Sequence, residues 1–265
     1  MFSGGIGSWM TAKRCVLRNG RKNLFLLFAD VKGNSENPHV GEDEDTYRFL
    51  HDAAKNVGGE LVIVKDGRDI WQVFNDSGML GNSRLALCSK ELKQAPSRKW
   101  LEDNCDPEDT TVWVGIDWSE SHRAGAIRKA YEPYRVEMPM MDRPFLYKEE
   151  MIQNAKLQGL KPPRAYEQGY QHANCGGGCV RSGKGQFIKL LEVNRDRYMV
   201  WEEKEQEFRD KYQKDVTILT EVSDGNKTPL TLLDLRLRCD SNSITTDDVL
   251  DVGGCGCFVD YGTEE

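Results

Sequence analysis

Short apolar runs alternate with segments of helical periodicity over the first 145 residues of the chain. The runs Leu24–Phe28 and Leu61–Val64 contain no polar residue, and a helical pattern from Tyr47 to Val57 separates them. A short, wholly apolar run is typical of a parallel strand that is buried on both of its faces. We therefore predict an α/β fold with a doubly wound, mainly parallel sheet, whose ligand sites lie at the carboxyl ends of the strands.

The alternation continues as far as a third strand-like run and then stops. Helical patterns cover Ile70–Phe74 and Cys88–Leu101, and the next run is Thr111–Ile116. Beyond residue 148 strand patterns become rare, and charged helical segments such as Met199–Tyr212 dominate. The sequence thus predicts an α/β region over 1–147 and a mostly helical region with cysteines over 148–265.

Charge and hydropathy exclude several classes of protein. The chain has 36 Lys and Arg against 43 Asp and Glu, so its net charge does not favour non-specific binding to nucleic acid. No apolar run approaches the ~20 residues that cross a bilayer, and the start of the chain lacks the pattern of a signal peptide. We therefore expect a cytoplasmic protein with no membrane partner. In a reducing compartment, its eight cysteines favour metal or redox chemistry over disulfide bonds.

A glycine-rich turn, Ser3-Gly4-Gly5-Ile6-Gly7-Ser8, precedes the first predicted helix. Backbone N–H groups at a helix start lack partners within the helix and carry partial positive charge, so such a turn binds anions. The turn has neither the GxGxxG pattern of dinucleotide sites nor the lysine of GxxxxGK[ST] loops. It therefore predicts a phosphate site of another type, with a plain Gly/Ser turn as the alternative interpretation.

The SGGxxS pattern resembles the PP-loop of ATP pyrophosphatases. Four further segments extend the resemblance: LFADV, which ends near Asp30, EDEDTYRFL (42–50), GNSRLALCSKELKQAPSRKWL (81–101) and VGIDWSESHR (114–123). Together they resemble the phosphoadenosine phosphosulfate (PAPS) reductase-like, DndC-related branch of the PP-loop superfamily, whose fold is called adenine nucleotide alpha hydrolase-like. A fifth segment, HANCGGGCVRSGKGQF (172–187), is similar to one subgroup of this branch. The resemblance covers roughly residues 1–200.

The resemblance implies a site for ATP with Mg²⁺ and names residues for it. Asp30 matches a strand-end position near the adenosine or the metal. Arg84, Lys93 and Arg123 match cations that face phosphate or sulfate oxygens, for which a solvated surface role is the alternative. The residues that match the phosphate-wrapping loop are Ser3, Gly4, Gly5, Gly7 and Ser8.

The resemblance also implies that cysteines hold a metal group. Cys88, Cys175 and Cys179 match positions at which reductases of this branch hold a [4Fe-4S] cluster, and thiolates suit Zn²⁺ as an alternative. Further ligands are left open among Cys255, Cys257, Cys239 and His172. The glycine-flanked Cys255 and Cys257 have a second interpretation as nucleophiles, since flanking glycines let a thiolate approach a substrate. Cys15 and Cys105 are interpreted as incidental thiols.

These features together predict an ATP pyrophosphatase that adenylates an acceptor for attack by sulfur or nitrogen, with release of pyrophosphate. The acceptor is left open between nucleic acid and protein, and a homo-oligomer is also left open. One alternative is a sulfonucleotide reductase in which Cys255 or Cys257 attacks the sulfate sulfur. Another is a nucleotide-binding partner protein without turnover, acting in phage–host conflict. Under all three interpretations, residues 1–147 are the predicted PP-loop nucleotide-binding domain.

Overall fold

A computed structural model describes residues 1–223 and 225–253 of the protein. The strands are β1 (Phe25–Ala29), β2 (Glu60–Val64), β3 (Thr111–Trp113), β4 (Arg135–Glu137), β5 (Leu219–Ser223) and β6 (Asn226–Leu230). The helices are α1 (Ile6–Asn19), α2 (Glu44–Val57), α3 (Ile70–Ser77), α4 (Leu87–Ser89), α5 (Ala95–Asn104), α6 (Ala124–Tyr131), α7 (Lys148–Leu157), α8 (Arg164–Glu167), α9 (Lys184–Val193), α10 (Arg195–Tyr212), α11 (Leu232–Asp240) and α12 (Thr246–Leu250). A π-helical turn, Lys90–Gln94, joins α4 to α5, and 3₁₀ turns cover Trp118–Arg123, Pro139–Met141 and Asn174–Gly177.

Up to residue 113 the helices and strands lie close to their predicted positions, although α4, the π-helical turn and α5 divide the helix predicted over Cys88–Leu101. α6 and β4, which follow in the first half, have no counterpart among the predicted elements. α1 follows the glycine-rich turn and ends at Gly20, whose φ of 77° is outside the helical range. Trp9 is fully buried on the inner face of this helix. α2 begins at Asp43, whose side chain accepts a hydrogen bond from the amide of Asp45, and ends at Gly58 in the left-handed region. Caps and apolar periodicity therefore define these helices locally.

The prediction of a doubly wound parallel sheet is wrong. The described residues form three separate two-stranded sheets: β1 with β2 and β3 with β4 in parallel, and β5 with β6 antiparallel. Between β1 and β3, the backbone nitrogen of Phe2 donates to Leu27 O over 2.8 Å and that of Met1 donates to Trp113 O over 2.7 Å. A cavity of about 680 Å³ lies between the same two strands. A bridge of two residues is too short to join the parallel pairs into one sheet.

The second half contains a β-hairpin as well as the predicted helices. β5 and β6 pair through Ser223 and Asn226, next to Gly225 with a φ of 78°. Four of the five residues of β6 are exposed, so the hairpin has little of the apolar alternation that marks a half-buried strand. The sequence of this mainly helical region therefore gives no clear signal for the two strands.

The largest hydrophobic cluster takes residues from both sides of position 147. It packs Trp71 and Phe74 of α3 against Phe187 of α9 and Trp201 of α10. The rings of Trp71 and Trp201 have centroids 5.1 Å apart in an edge-to-face arrangement. Cys175 and Cys179 belong to the same cluster, so this packing carries the cysteine segment to the α/β region. The domain division at residue 147 stays a prediction.

Candidate functional site

The predicted phosphate loop lies at the N-terminus of α1, and the amide of Ile6 donates there to the hydroxyl of Tyr166. Gly4 has a φ of 74°, and a Cβ atom there would lie 3.0 Å from Thr46 Cγ2, so this position requires glycine. Gly5 is the N-cap residue and has no side chain with which to cap the helix. The first turn of α1 contains no acidic residue, so no carboxylate there offsets the positive end of the helix dipole. The turn has the local geometry of an anion site.

A cavity of about 170 Å³, which we call the loop cavity, lies against this turn. Lys93 from the π-helical turn and Arg123 from the end of a 3₁₀ turn line it as well. Its lining therefore includes most of the predicted phosphate loop and two of the predicted cations. The loop residues in the lining are Ser3, Gly5, Gly7 and Ser8, and the other polar residues are Asp117, Glu120, Lys148, Tyr166, Gln171, His172 and Asn174.

The two predicted cations that line the loop cavity, Lys93 and Arg123, are each buried beside a carboxylate. Lys93 is 6% exposed, and its Nζ lies 3.4 Å from Oε1 of Glu42, which is 4% exposed. Arg123 is 8% exposed and forms an ion pair with Glu120. Removing charges from water is costly unless they are paired, so these carboxylates explain how the cations are tolerated there.

The structure does not bring Asp30 or Arg84 into the loop cavity. Oδ1 of Asp30 accepts a hydrogen bond from the hydroxyl of Tyr47 over 2.6 Å and another from the amide of Lys32 over 3.0 Å. Burial and the adjacent Asp30 raise the pKa of Tyr47, so this hydroxyl remains a donor. Arg84 is exposed in the segment before α4 and lines neither the loop cavity nor the cavity beside Cys88, Cys175 and Cys179. A catalytic role for either residue stays a prediction.

The predicted metal ligands Cys88, Cys175 and Cys179 line a second, narrow cavity, which we call the cysteine cavity. Lys93 and Arg181 line it too, so Lys93 borders both cavities. The thiols supply donor atoms that suit a metal–sulfur site, and the neighbouring cations favour the thiolate form that binds a metal. Nevertheless, residues 1–223 and 225–253 contain no group of three or more His, Cys, Asp or Glu side chains arranged to hold a metal ion.

The remaining ligand candidates do not complete the set within the described residues. His172 lines the loop cavity, and Cys239 lies in α11 without lining the cysteine cavity. Cys255 and Cys257 lie outside the described residues. The described part of the chain therefore does not fit a complete cluster or zinc site.

Two residues that the sequence did not single out connect the parts of the site. Besides facing Lys93, Glu42 accepts a hydrogen bond through Oε2 from the backbone N–H of Cys175. The hydroxyl of Tyr166 accepts a hydrogen bond from the amide of Ile6, the first residue of α1, over 3.1 Å. Glu42 belongs to an acidic segment already noted, but no local signal marks Tyr166, because it comes from a short helix far along the chain.

Lys148 is a further cation that the sequence did not single out. It lines the loop cavity at the start of α7, and burial lowers the pKa of its ammonium group, while Glu149, Asp117 and Glu120 oppose this shift. Nζ of Lys148 also donates to Gln171 O, in the segment that precedes the cysteines. The lining of the loop cavity thus contains a third cation besides Lys93 and Arg123.

No family model matches this chain, and a search of curated proteins finds none with similar sequence. Within residues 1–223 and 225–253, no helix has the length and apolar character to cross a bilayer.

Proposed function

We propose that the protein is an ATP pyrophosphatase that transfers the adenylyl group of ATP to an acceptor and releases pyrophosphate. One observation carries this proposal: the glycine-rich turn at the start of α1 lines the same cavity as the buried cations Lys93 and Arg123. Backbone N–H groups, a helix N-terminus and buried cations together suit a polyphosphate, which carries several negative charges.

In the proposed reaction an acceptor oxygen attacks the α-phosphorus of ATP. A bond forms between this oxygen and the phosphorus, the bond from the phosphorus to the bridging oxygen breaks, and that oxygen leaves with pyrophosphate. The loop amides and Lys93 orient the phosphates and offset the charge that develops on the leaving group. Mg²⁺ would enter with ATP, and Asp117 and Glu120 are the lining carboxylates that, with phosphate oxygens, suit this ion.

The metal–sulfur group stays a separate proposal. The cysteine cavity supplies thiols, but the described residues do not complete a ligand set. No step of the proposed reaction is therefore assigned to a [4Fe-4S] cluster or to Zn²⁺. The acceptor, nucleic acid or protein, and a cytoplasmic location likewise belong to the proposal.

Gly5→Val tests the site, with Gly125→Ala as the matched control. A Cβ atom at Gly5 would lie 3.3 Å from Tyr166 Oη, on the surface where a phosphate must approach, whereas one at Gly125 meets nothing within 4 Å. We expect Gly5→Val to weaken ATP binding at least tenfold by calorimetry and Gly125→Ala to leave it unchanged, because the extra methyl groups collide with the phosphate. Undiminished ATP affinity in Gly5→Val contradicts the phosphate site.

Product analysis separates the proposed activity from its alternatives. A pyrophosphatase releases pyrophosphate from ATP in the presence of its acceptor, whereas a sulfonucleotide reductase releases sulfite. ATP binding without either product, across nucleic-acid and protein acceptors, would favour a nucleotide-binding partner protein.

A further inference from the structure

The hydroxyl of Tyr166 lies where the loop would hold a phosphate oxygen. Ile6 is the first residue of α1, and the amide of a first residue has no acceptor within its own helix. Tyr166 Oη accepts from this amide over 3.1 Å and lies 3.3 Å from the position of a Cβ on Gly5. The hydroxyl therefore covers both the amide and the glycine surface that a phosphate needs.

Residues 161–167, which we call the strap, carry Tyr166 and are tied to the start of α2. The amide of Arg164 donates to Asp45 Oδ2 over 2.6 Å, and its guanidinium donates to Asp43 Oδ2 over 2.7 Å. Nη2 of Arg48 donates to the carbonyl of Lys161 over 3.0 Å. These contacts hold the strap from outside the loop cavity.

The strap is held to α2 by polar contacts at the protein surface. The side chain of Arg164 is 46% exposed in its pair with Asp43, and pairs this exposed contribute little to stability. The amide of Arg164 and the carbonyl of Lys161 add hydrogen bonds to Asp45 and Arg48. A phosphate oxygen that accepts from the Ile6 amide replaces the hydrogen bond to Tyr166, so the exchange costs only the contacts that the strap gives up.

We propose that Tyr166 is a placeholder for a phosphate oxygen and that the strap withdraws it from the Ile6 amide when a polyphosphate binds in the loop cavity. This inference rests on the proposed function, because it concerns the same phosphate site. The strap lowers the affinity of the loop for polyphosphate by the free energy needed to release its contacts, so weakening those contacts strengthens binding.

Two substitutions weaken the strap in different places. Tyr166→Phe removes the acceptor that competes for the Ile6 amide and keeps the ring. Asp43→Asn removes the charge that faces Arg164 and keeps an effective N-cap on α2, since asparagine caps helices as well as aspartate does. Asp103→Asn is the control, because Asp103 pairs with Lys99 over 2.9 Å on α5 and contacts neither the strap nor Arg48 among the described contacts.

The test is calorimetric titration of each variant with pyrophosphate and with ATP–Mg²⁺. We expect Tyr166→Phe to bind about threefold to tenfold more tightly than the parent, the range that one hydrogen bond supports, and Asp43→Asn about twofold more tightly. Asp103→Asn should bind as the parent does. A ligand-bound state should also make the amide of Arg164 exchange its hydrogen faster, because the strap has been released.

The possible failures are distinguishable. Weaker binding in Tyr166→Phe overturns the inference, because it would make the hydroxyl a direct contact of the phosphate. Unchanged affinity in both strap variants overturns it as well, while leaving the pyrophosphatase proposal intact. Absence of any binding in the parent and in all variants contradicts both, whereas binding that appears only in Tyr166→Phe supports the placeholder.

Discussion

Oε1 of Glu42 lies 3.4 Å from Nζ of Lys93 in the interior of the protein, with the two side chains 3% and 8% exposed. The same carboxylate accepts a hydrogen bond from the backbone N–H of Cys175. Since Lys93 lines both the loop cavity and the cysteine cavity, this ion pair lies at the junction of the two. A segment before α2, the π-helical turn and the cysteine segment therefore meet at one buried carboxylate.

We expect Glu42→Gln to lower the free energy of unfolding by about 3 kcal/mol, because it removes the charge that faces the buried Lys93. Adding Lys93→Met should restore part of this loss, since the double variant no longer buries that ammonium. Chemical denaturation of the parent, both single variants and the double variant measures the coupling. The exposed pair Lys99–Asp103 is the control, and Asp103→Asn should leave the free energy of unfolding unchanged within the error of the measurement. Strictly additive effects of the two buried substitutions would contradict a direct pair.

Gly176→Ala should be far more destabilising than Gly225→Ala. Both glycines have positive φ, 56° and 78°, so both substitutions carry backbone strain of about 1 kcal/mol. A Cβ at Gly176 would also lie 2.0 Å from Nη1 of Arg197, whereas one at Gly225 meets nothing within 4 Å. We expect a loss of about 3 kcal/mol at Gly176, measured by denaturant unfolding. Equal losses at the two positions would mean that the guanidinium moves aside without cost.

Glu205 should make stability depend on pH near neutrality. Its oxygens accept hydrogen bonds from the amides of Ile218 over 2.9 Å and Leu232 over 2.7 Å. Burial nevertheless raises its pKa from 4.5 to about 7, against the opposing effect of those amides. Between these two pH values the folded state holds a proton that the unfolded chain has released. The stabilisation of the folded state by protonated Glu205 is therefore complete below about pH 4.5 and is lost as the pH rises towards 7.

We therefore expect the stability advantage of the parent over Glu205→Gln to shrink by about 2 kcal/mol between pH 5 and pH 8. Unfolding free energies of the two proteins across this range measure the difference. Glu203→Gln, at an exposed position on the same helix, is the control and should show the pH dependence of the parent. An advantage that stays constant or grows with pH would contradict a raised pKa at Glu205.

Metal analysis tests the cysteine prediction directly. If Cys88, Cys175 and Cys179 are ligands, protein purified without oxygen should contain iron or zinc, and each Ser variant should lose metal because thiolate donors are removed. Cys105→Ser is the matched control, since Cys105 does not line the cysteine cavity. Cys255→Ser and Cys257→Ser distinguish the two interpretations of these cysteines. Loss of metal indicates that they are ligands, and retained metal without turnover indicates that they are nucleophiles. Metal-free parent protein would contradict the ligand assignment.

Local signals predicted much of the candidate site and missed the contacts that connect it. The glycine-rich turn and its helix follow from glycine content and apolar spacing. Lys93 and Arg123 line the cavity beside that turn, and the role as phosphate-facing cations that the resemblance implies for them stays a prediction. Asp30, the residue after β1, instead accepts a hydrogen bond from Tyr47 of α2, a contact that no local pattern encodes. Tyr166 reaches the loop from 160 residues away, so only the folded chain reveals it.

The sequence by itself determined most of the helices and strands up to β3, because caps, glycine stops and apolar periodicity act over a few neighbouring residues. Tertiary structure decided how the strands associate: β1–β2 and β3–β4 remain separate pairs. Only Met1 and Phe2 connect β1 and β3 by backbone hydrogen bonds among the described residues, and a cavity of about 680 Å³ lies between these strands. It also decided that Glu42, Lys93 and Cys175 share one buried contact. Such associations depend on the packing of surfaces distant in sequence, which local periodicity does not specify.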